Sequence, residues 1–277
     1  MPAEPRVLVV TPTLGESRLL DETVRSVARQ GLAIRHVLSA PAARQAALRS
    51  RYLQTHVVTD LGRTGGIYGA LNAALNASRD ADWDWFTYIN DDDALLPGFG
   101  TALRHHTRWE EPEPVIYGDV AAVDGDSRPI SLVTVESDPA WIPALLQQGI
   151  SPLMQQGLVM HRSVVQRLAA FDLRYRLCAD LDFWLRAYAG GAAFRYYPMR
   201  LAQFRIHVGQ LSGATAVTQR EQAEIVRRHL PETVPAGRRR FACWRYRARN
   251  LPRYLARVRR RGWTTSYQLL QGTGNRG

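Results

Sequence analysis

The chain has 277 residues, 45% of them apolar, and a formal net charge of +11. That length and apolar fraction support a sizeable buried core and exclude disorder throughout. All 36 basic residues are arginines: residues 1–237 hold 24 of them against all 25 acids, whereas residues 238–277 hold 12 and no acid. The excess charge therefore belongs to the C-terminal tail, and a nucleic-acid-binding role for the near-neutral body loses its electrostatic basis.

Cys178 and Cys243 are too few for a disulfide framework or a zinc site and fit a reducing compartment. Neither a secretory leader nor a spanning helix is expected, because no apolar run approaches the length either needs. A cytoplasmic location follows, with any membrane contact, peripheral on the inner face, confined to the tail.

In chain order, Val7–Val10 reads as a buried strand entering the loop Thr11, Pro12, Thr13. Ser17 is placed to cap a helix from about Arg18, with Leu19, Leu20, Val24, Val27 and Ala28 at helical spacing. Strands over Ile34–Leu38, His56–Thr59 and Trp85–Ile89 alternate with helices over Ala42–Leu53 and Gly66–Ala77. This alternation predicts an α/β fold, a mostly parallel sheet with helices on both faces, and ligands beyond the carboxyl ends of its strands. After residue 100 the pattern is mixed. A hairpin over Val115–Val123 and Pro129–Val135 turns at Asp124, Gly125 and Asp126, and a strand over Gly157–His161 precedes a short helix over Ser163–Ala170. An amphipathic helix over Ala179–Ala189, a strand over Phe194–Ile206 and a helix over Thr218–His229 follow.

Three groups of residues could carry chemistry. Asp91, Asp92 and Asp93 close a buried strand ahead of Pro97 and Gly98. Adjacent carboxylates repel and are costly to desolvate alone, so a divalent cation bridging phosphate oxygens is a natural partner; a solvated acidic turn is the alternative. Asp180 and Asp182 fall where a helix begins and could simply answer its dipole. The functional reading makes Asp180 a general base, with Arg186 as a structural or charge partner. His207, after the last strand, gains meaning only in combination. The glycines from Gly62 to Gly69 match neither the dinucleotide nor the P-loop fingerprint, but the helix that follows sets Tyr68 and Asn72 one turn apart on one face.

Taken in order, these motifs resemble the inverting, GT-A fold (Rossmann-like) glycosyltransferases of family 2. The likeness runs from about Val7 to Ser212. It takes in Thr11–Thr13 with Ser26, Val27 and Gln30, then Gly66, Tyr68 and Asn72, and Asn90–Asp93 with Pro97 and Gly98. It continues through Tyr117–Asp119, Gln156 ahead of Arg162 and Ser163, Phe171 and Asp172, Ala179–Arg186, and Arg205–His207 with Ser212. The resemblance implies a nucleotide-sugar donor (UDP- or dTDP-linked), a divalent cation (Mn²⁺ or Mg²⁺), and attack by an acceptor hydroxyl with inversion. It makes Asp92 the metal ligand on the diphosphate, with Asp93 beside it and His207 approaching; Asp91 and Asp93 contact metal, ribose or sugar. Asp180 matches the base. Thr11, Pro12 and Thr13 border the nucleobase with Glu16 nearby, and Arg63, Gly66, Tyr68 and Asn72 complete the donor side. Residues 1–212 form the catalytic domain in this reading, with a nucleotide-sugar half over 1–100 and an acceptor half over 101–212, and 213–277 a helical, Arg-rich extension. The family usually places an Asp after its second strand; Val37–Pro41 holds no acid, and Thr64, Gly69 and Asn90 stand where the family has Asp. The implied setting is bacterial cell-surface polysaccharide or glycolipid synthesis, the acceptor being a glycan or lipid-linked glycan. A nucleotidyltransferase and an inactive GT-A-like scaffold are the alternatives; Asp180 argues against the first, and the intact Asp triplet with Asp180 against the second.

Residues 238–261 contain 11 Arg around an apolar stripe of Phe241, Trp244, Ala248, Leu251, Leu255 and Val258. Pro252 is expected to divide this stretch into two helices, with Asn250 near the second start. Three readings stand: an interfacial helix on an anionic membrane, a helix packed back on the body with a basic outer face, and nucleic-acid binding, for which the rest of the chain offers no fold.

Overall fold

The computed structural model describes residues 4–106, 114–207 and 215–261. Ser212 and the tail beyond Arg261 lie outside the described residues. The first half alternates as its periodicity predicts: β1 (Arg6–Pro12), α1 (Leu20–Ala28), β2 (Ala33–Pro41), α2 (Gln45–Arg51), β3 (His56–Asp60), α3 (Gly66–Ala77) and β4 (Trp85–Tyr88). The second half adds β5 (Ala94–Leu95), α4 (Pro97–His106), β6 (Pro114–Asp124), β7 (Pro129–Val133), α5 (Ile142–Leu146), β8 (Leu158–His161), α6 (Arg162–Leu168), α7 (Ala179–Ala189), β9 (Ala193–Ile206), α8 (Thr215–His229) and α9 (Ala236–Arg261).

Among the described residues, nine strands join one sheet in the order β3-β2-β1-β4-β8-β6-β9-β5, with β7 also paired to β6. Strands β1 to β4 are parallel, β8 and β5 run antiparallel to their neighbours, and β6 pairs with β9 in parallel. Alternation along β1 assigns the two faces. Val7 and Val9 join Val27 of α1 and Phe99 and Leu103 of α4 in one core layer. Leu8 and Val10 join Leu71 and Ala74 of α3 and Phe183 and Leu185 of α7 in the other.

Three expectations are corrected. Helix α1 starts at Leu20, not Arg18, because the Ser17 hydroxyl is used as a tether: it accepts the Leu19 N–H at 3.2 Å and donates to the Asp91 carbonyl at 2.8 Å. Pro252 does not divide the basic tail, since α9 runs through it unbroken. The carbonyl that a proline leaves unpaired is that of the fourth residue before it, here Ala248, and both residues are exposed, so water can serve it. Asn250 starts no helix; it is buried, and its amide donates to the Tyr246 carbonyl at 2.7 Å.

The basic extension is also tied to the body. Ile225 and Val226 of α8 enter the same core layer as α3 and α7. One face of α9 docks beside α5: Ala242 is buried with Ala144 and Leu145, Arg245 pairs with the buried Glu136 at 2.7 Å, and the Tyr246 hydroxyl donates to the Thr134 carbonyl at 2.8 Å. Cys178 and Cys243 are free thiols. Among the described residues, no helix is long and apolar enough to cross a membrane.

Candidate active site

The three aspartates leave the buried end of β4 in three directions. Asp91 accepts a hydrogen bond from the Thr13 hydroxyl, joining the ends of β4 and β1. Asp93 turns inward and is almost wholly enclosed. Its Oδ1 accepts the Arg205 N–H at 2.7 Å, and its Oδ2 accepts from Gln156 at 3.0 Å and Asn90 at 3.3 Å. Asp92 faces outward and meets His207 Nε2 at 2.8 Å; the two side chains are 17% and 38% exposed. Burial outweighs the Thr13 hydrogen bond and, with Asp92 next door, pushes the Asp91 carboxyl up to about 6. The same two causes hold Asp93 well above the usual carboxylate range.

The triplet therefore divides its work. Asp93, expected beside the metal, has both oxygens committed to interior donors and anchors the turn instead. Asp92 and His207, 115 residues apart, supply an accessible carboxylate and imidazole side by side. Among the described residues, no group of three or more His, Cys, Asp or Glu side chains is arranged to hold a metal. A two-ligand site of this kind fits an ion whose other positions belong to phosphate and water.

Arg205, fully buried, organises this end of the sheet. Its guanidinium donates to the carbonyls of Asp92 at 2.8 Å and Asp124 at 3.2 Å, to the Ser127 hydroxyl at 2.8 Å and to Glu22 at 2.9 Å. Gln155 and Gln156 sit on a tight turn ending at Gly157, where a Cβ would lie 2.7 Å from the Gly118 carbonyl oxygen.

Asp180 stands in the first turn of α7, half-buried, its Oδ1 accepting the Leu181 N–H at 2.8 Å and lying 3.1 Å from the Tyr68 hydroxyl. Burial lifts its carboxyl to about 6, against the pull of those two donors. The Tyr88 phenol, raised chiefly by burial, also feels the charges of both Asp180 and Asp93, so it is close to both carboxylates. The loop leading into α7 is held from α8: Glu221 accepts the N–H groups of Arg176, Leu177 and Cys178, each at 2.9 Å. Arg186 is not a partner of Asp180. It binds Asp182 at 2.8 Å, and His229 reaches the same buried carboxylate at 2.7 Å.

The other residues expected on the donor side are spread along the carboxyl ends of β1 and β3 and along α3. Thr11 is enclosed, its hydroxyl on His36 Nε2 at 2.9 Å, so it sets the course of the strand and its side chain has no surface to offer a ligand. Pro12 pairs in register with Ser39. Glu16 bridges Arg63 at 2.9 Å and Arg44 at 3.4 Å across the exposed rim. Gly66 opens α3 at a positive φ of 63° with open space around its Cα. Asn72 is spent on the backbone, donating to the Phe171 carbonyl at 2.9 Å and accepting the Phe171 N–H at 2.8 Å. The acid absent from the end of β2 arrives from β3: Ser39 donates to Asp60 at 2.9 Å. Sequence reasoning missed Asp60, Glu221 and the role of the Arg205 side chain, because each acts through a long-range contact that no local spacing encodes.

No family model matches the chain, and no curated protein matches it. Among solved structures, the 1–349 segment of S. aureus TarS in complex with UDP-GlcNAc aligns over 93% of this chain and 75% of its own, with a TM-score of 0.63 at 16% identity. A longer S. aureus TarS structure aligns over 90% of this chain but 43% of its own, with a TM-score of 0.60 at 14% identity. The chain thus spans less than half of that structure. The mannosyltransferase PcManGT from Pyrobaculum calidifontis, in complex with GDP-Man and Mn²⁺, aligns over 98% of this chain and 80% of its own, with a TM-score of 0.57 at 15% identity. The curled, mixed sheet with helices on both faces is the GT-A fold of these glycosyltransferases.

Proposed function

We propose that the chain is an inverting, family 2-like glycosyltransferase that moves a sugar from a UDP- or dTDP-sugar to an acceptor hydroxyl. The acceptor is a glycan or lipid-linked glycan of a bacterial cell surface. The observation that carries this reading is a pair of unlike carboxylates, an outward Asp92 beside His207 and a half-buried Asp180 lifted to about 6, with the Tyr88 phenol close to Asp180 and to Asp93, the neighbour of Asp92. The ligands in the TarS and PcManGT structures are UDP-GlcNAc and GDP-Man, which supports a nucleotide sugar as the donor class.

Asp92 and His207 would hold a divalent cation, Mn²⁺ or Mg²⁺, which when bound neutralises charge on the donor's diphosphate. Asp180, deprotonated near neutrality, takes the proton from the acceptor hydroxyl. The acceptor oxygen forms its bond to the anomeric carbon from the face opposite the diphosphate. The carbon–oxygen bond to the diphosphate breaks, and the nucleotide leaves with the electron pair. Tyr68 and Leu181 fix the carboxylate's rotamer, and Thr13, Asp91 and Gly66 border the donor. Asp180→Asn is expected to abolish transfer while leaving nucleotide-induced thermal stabilisation intact; retained turnover refutes the base assignment. Donor binding indifferent to EDTA and to Asp92→Ala refutes the metal assignment.

A further inference from the structure

The face of α9 that docks on the body is not its apolar stripe. Among the described side chains, the buried positions are Ala242 and Asn250, and the half-buried ones are Arg239, Cys243, Arg245, Tyr246, Arg249 and, near the far end, Val258. The large apolar side chains point away from that face, with Trp244 65%, Leu251 53% and Leu255 52% exposed, while Phe241, 49% exposed, sits at the edge against Trp141 of the body. At 3.6 residues per turn these four fall in one line along the helix. Phe241 and Trp244 stack toward each other, their ring centroids 5.8 Å apart, at the end of the line nearest Trp141. Exposed Arg240 and Arg247 run along one side of the line, α9 carries 11 arginines, and residues 238–277 hold no acid.

We infer that this outward face of α9 is a docking surface for an anionic lipid bilayer, held parallel to the membrane plane by the buried contacts on its other side. Two features select this occupant. A line of Phe, Trp and Leu matches the boundary between headgroups and acyl chains, where aromatic rings and Leu lose water while flanking arginines stay with phosphate. The uninterrupted positive charge complements an anionic leaflet. A polyanion such as duplex nucleic acid would engage the arginines and leave the apolar line wet. The helix needs no rearrangement to bind, because Arg245, Tyr246 and Arg249 already fix it to the body. This inference stands independently of the sugar-transfer reading, since its probe is the vesicle alone.

The test is flotation of the full chain with phosphatidylcholine vesicles, with and without phosphatidylglycerol. The full chain is expected to float with the anionic vesicles, to stay down with the neutral ones, and to be released by high salt. Replacing Trp244, Leu251 and Leu255 together by Ser is expected to cut the floated fraction about tenfold. All three side chains are half or more exposed, so the far-UV circular dichroism and the melting temperature should not change. Arg240→Ser with Arg247→Ser is expected to weaken flotation most at low salt. Equal flotation of wild type and the triple Ser variant overturns the inference, as does capture by duplex DNA without flotation on anionic vesicles.

Discussion

The Tyr68 hydroxyl, on α3, lies 3.1 Å from Oδ1 of Asp180, 112 residues later on α7. The phenol stabilises the charged carboxylate, while burial favours the neutral acid and wins, leaving the group at about 6. If Asp180 is the base, kcat/KM should rise with pH through about 6 and then level. Tyr68→Phe should move that limb upward by about half to one unit, because the ionised form loses a donor. A pH–rate profile checks this, and a limb that stays in place separates Tyr68 from the reaction.

The same shift has a signed consequence for stability. The folded chain binds this proton more tightly than the unfolded chain, so rising pH removes stability between the ordinary carboxylate value of 3.8 and about 6, and the loss is complete above that window. Asp180→Asn, which cannot ionise, should be more stable than wild type at pH 8 by about 1–2 kcal/mol, the two-unit shift at about 1.4 kcal/mol per unit discounted for partial exposure. Near pH 4 the difference should vanish. Urea denaturation at both pH values measures it.

Gly157 lets the turn carrying Gln155 and Gln156 press against β6. Gly157→Ala would put a methyl group 2.7 Å from the Gly118 carbonyl oxygen and 2.8 Å from a Val120 methyl. Moving the turn would withdraw Gln156 from Asp93 and Gln155 from the Tyr88 carbonyl. The expected cost is about 1–3 kcal/mol, with weaker cation-dependent donor binding. Thermal melts with and without nucleotide sugar and Mn²⁺ read both effects.

Glu136 is nearly fully enclosed, and its charge is met by Arg245 at 2.7 Å and Arg249 at 3.8 Å. Arg245→Ala should destabilise by about 2–4 kcal/mol, since it strands much of a buried charge. Glu136→Gln combined with Arg245→Met should recover most of that loss. A double-mutant cycle by denaturant melts decides the point: additivity would mean that the pair does not hold α9.

The boundaries of α3 and α7 were legible to the residue, because apolar positions recur at helical spacing and the flanking segments break it. The β–α alternation likewise announced the sheet. The ends of β4 and β9 as a site were legible only through the order of motifs. Nothing in the spacing of Asp92 and His207 says that they meet; that depends on β9 running beside β6 and β5. Asp93 read as an equal of Asp92, although the fold buries it under the Arg205 amide and Gln156. Glu221 was invisible in a helix that reads as part of a tail, because its role exists only once α8 lies across the loop before α7. The stripe on α9 was legible as a stripe, but its outward direction was not: the docking face is made of arginine, tyrosine and alanine, which composition assigns to the surface.

Strand β9 is 14 residues long and pairs with β6 along most of its length, while its Gln203 and Ala202 pair with Ala94 and Leu95 of β5, just past the aspartate triplet. The two halves of the chain are thus stitched across the very place where a hinge would have to open. Large-amplitude closure, one half swinging over the other, is ruled out mechanically without unzipping a buried ladder. Whatever gating the site has must come from segments outside the sheet, and in the proposed reading the spacing between Asp180 and the Asp92–His207 pair is a fixed gauge for the length of the group that fits between them.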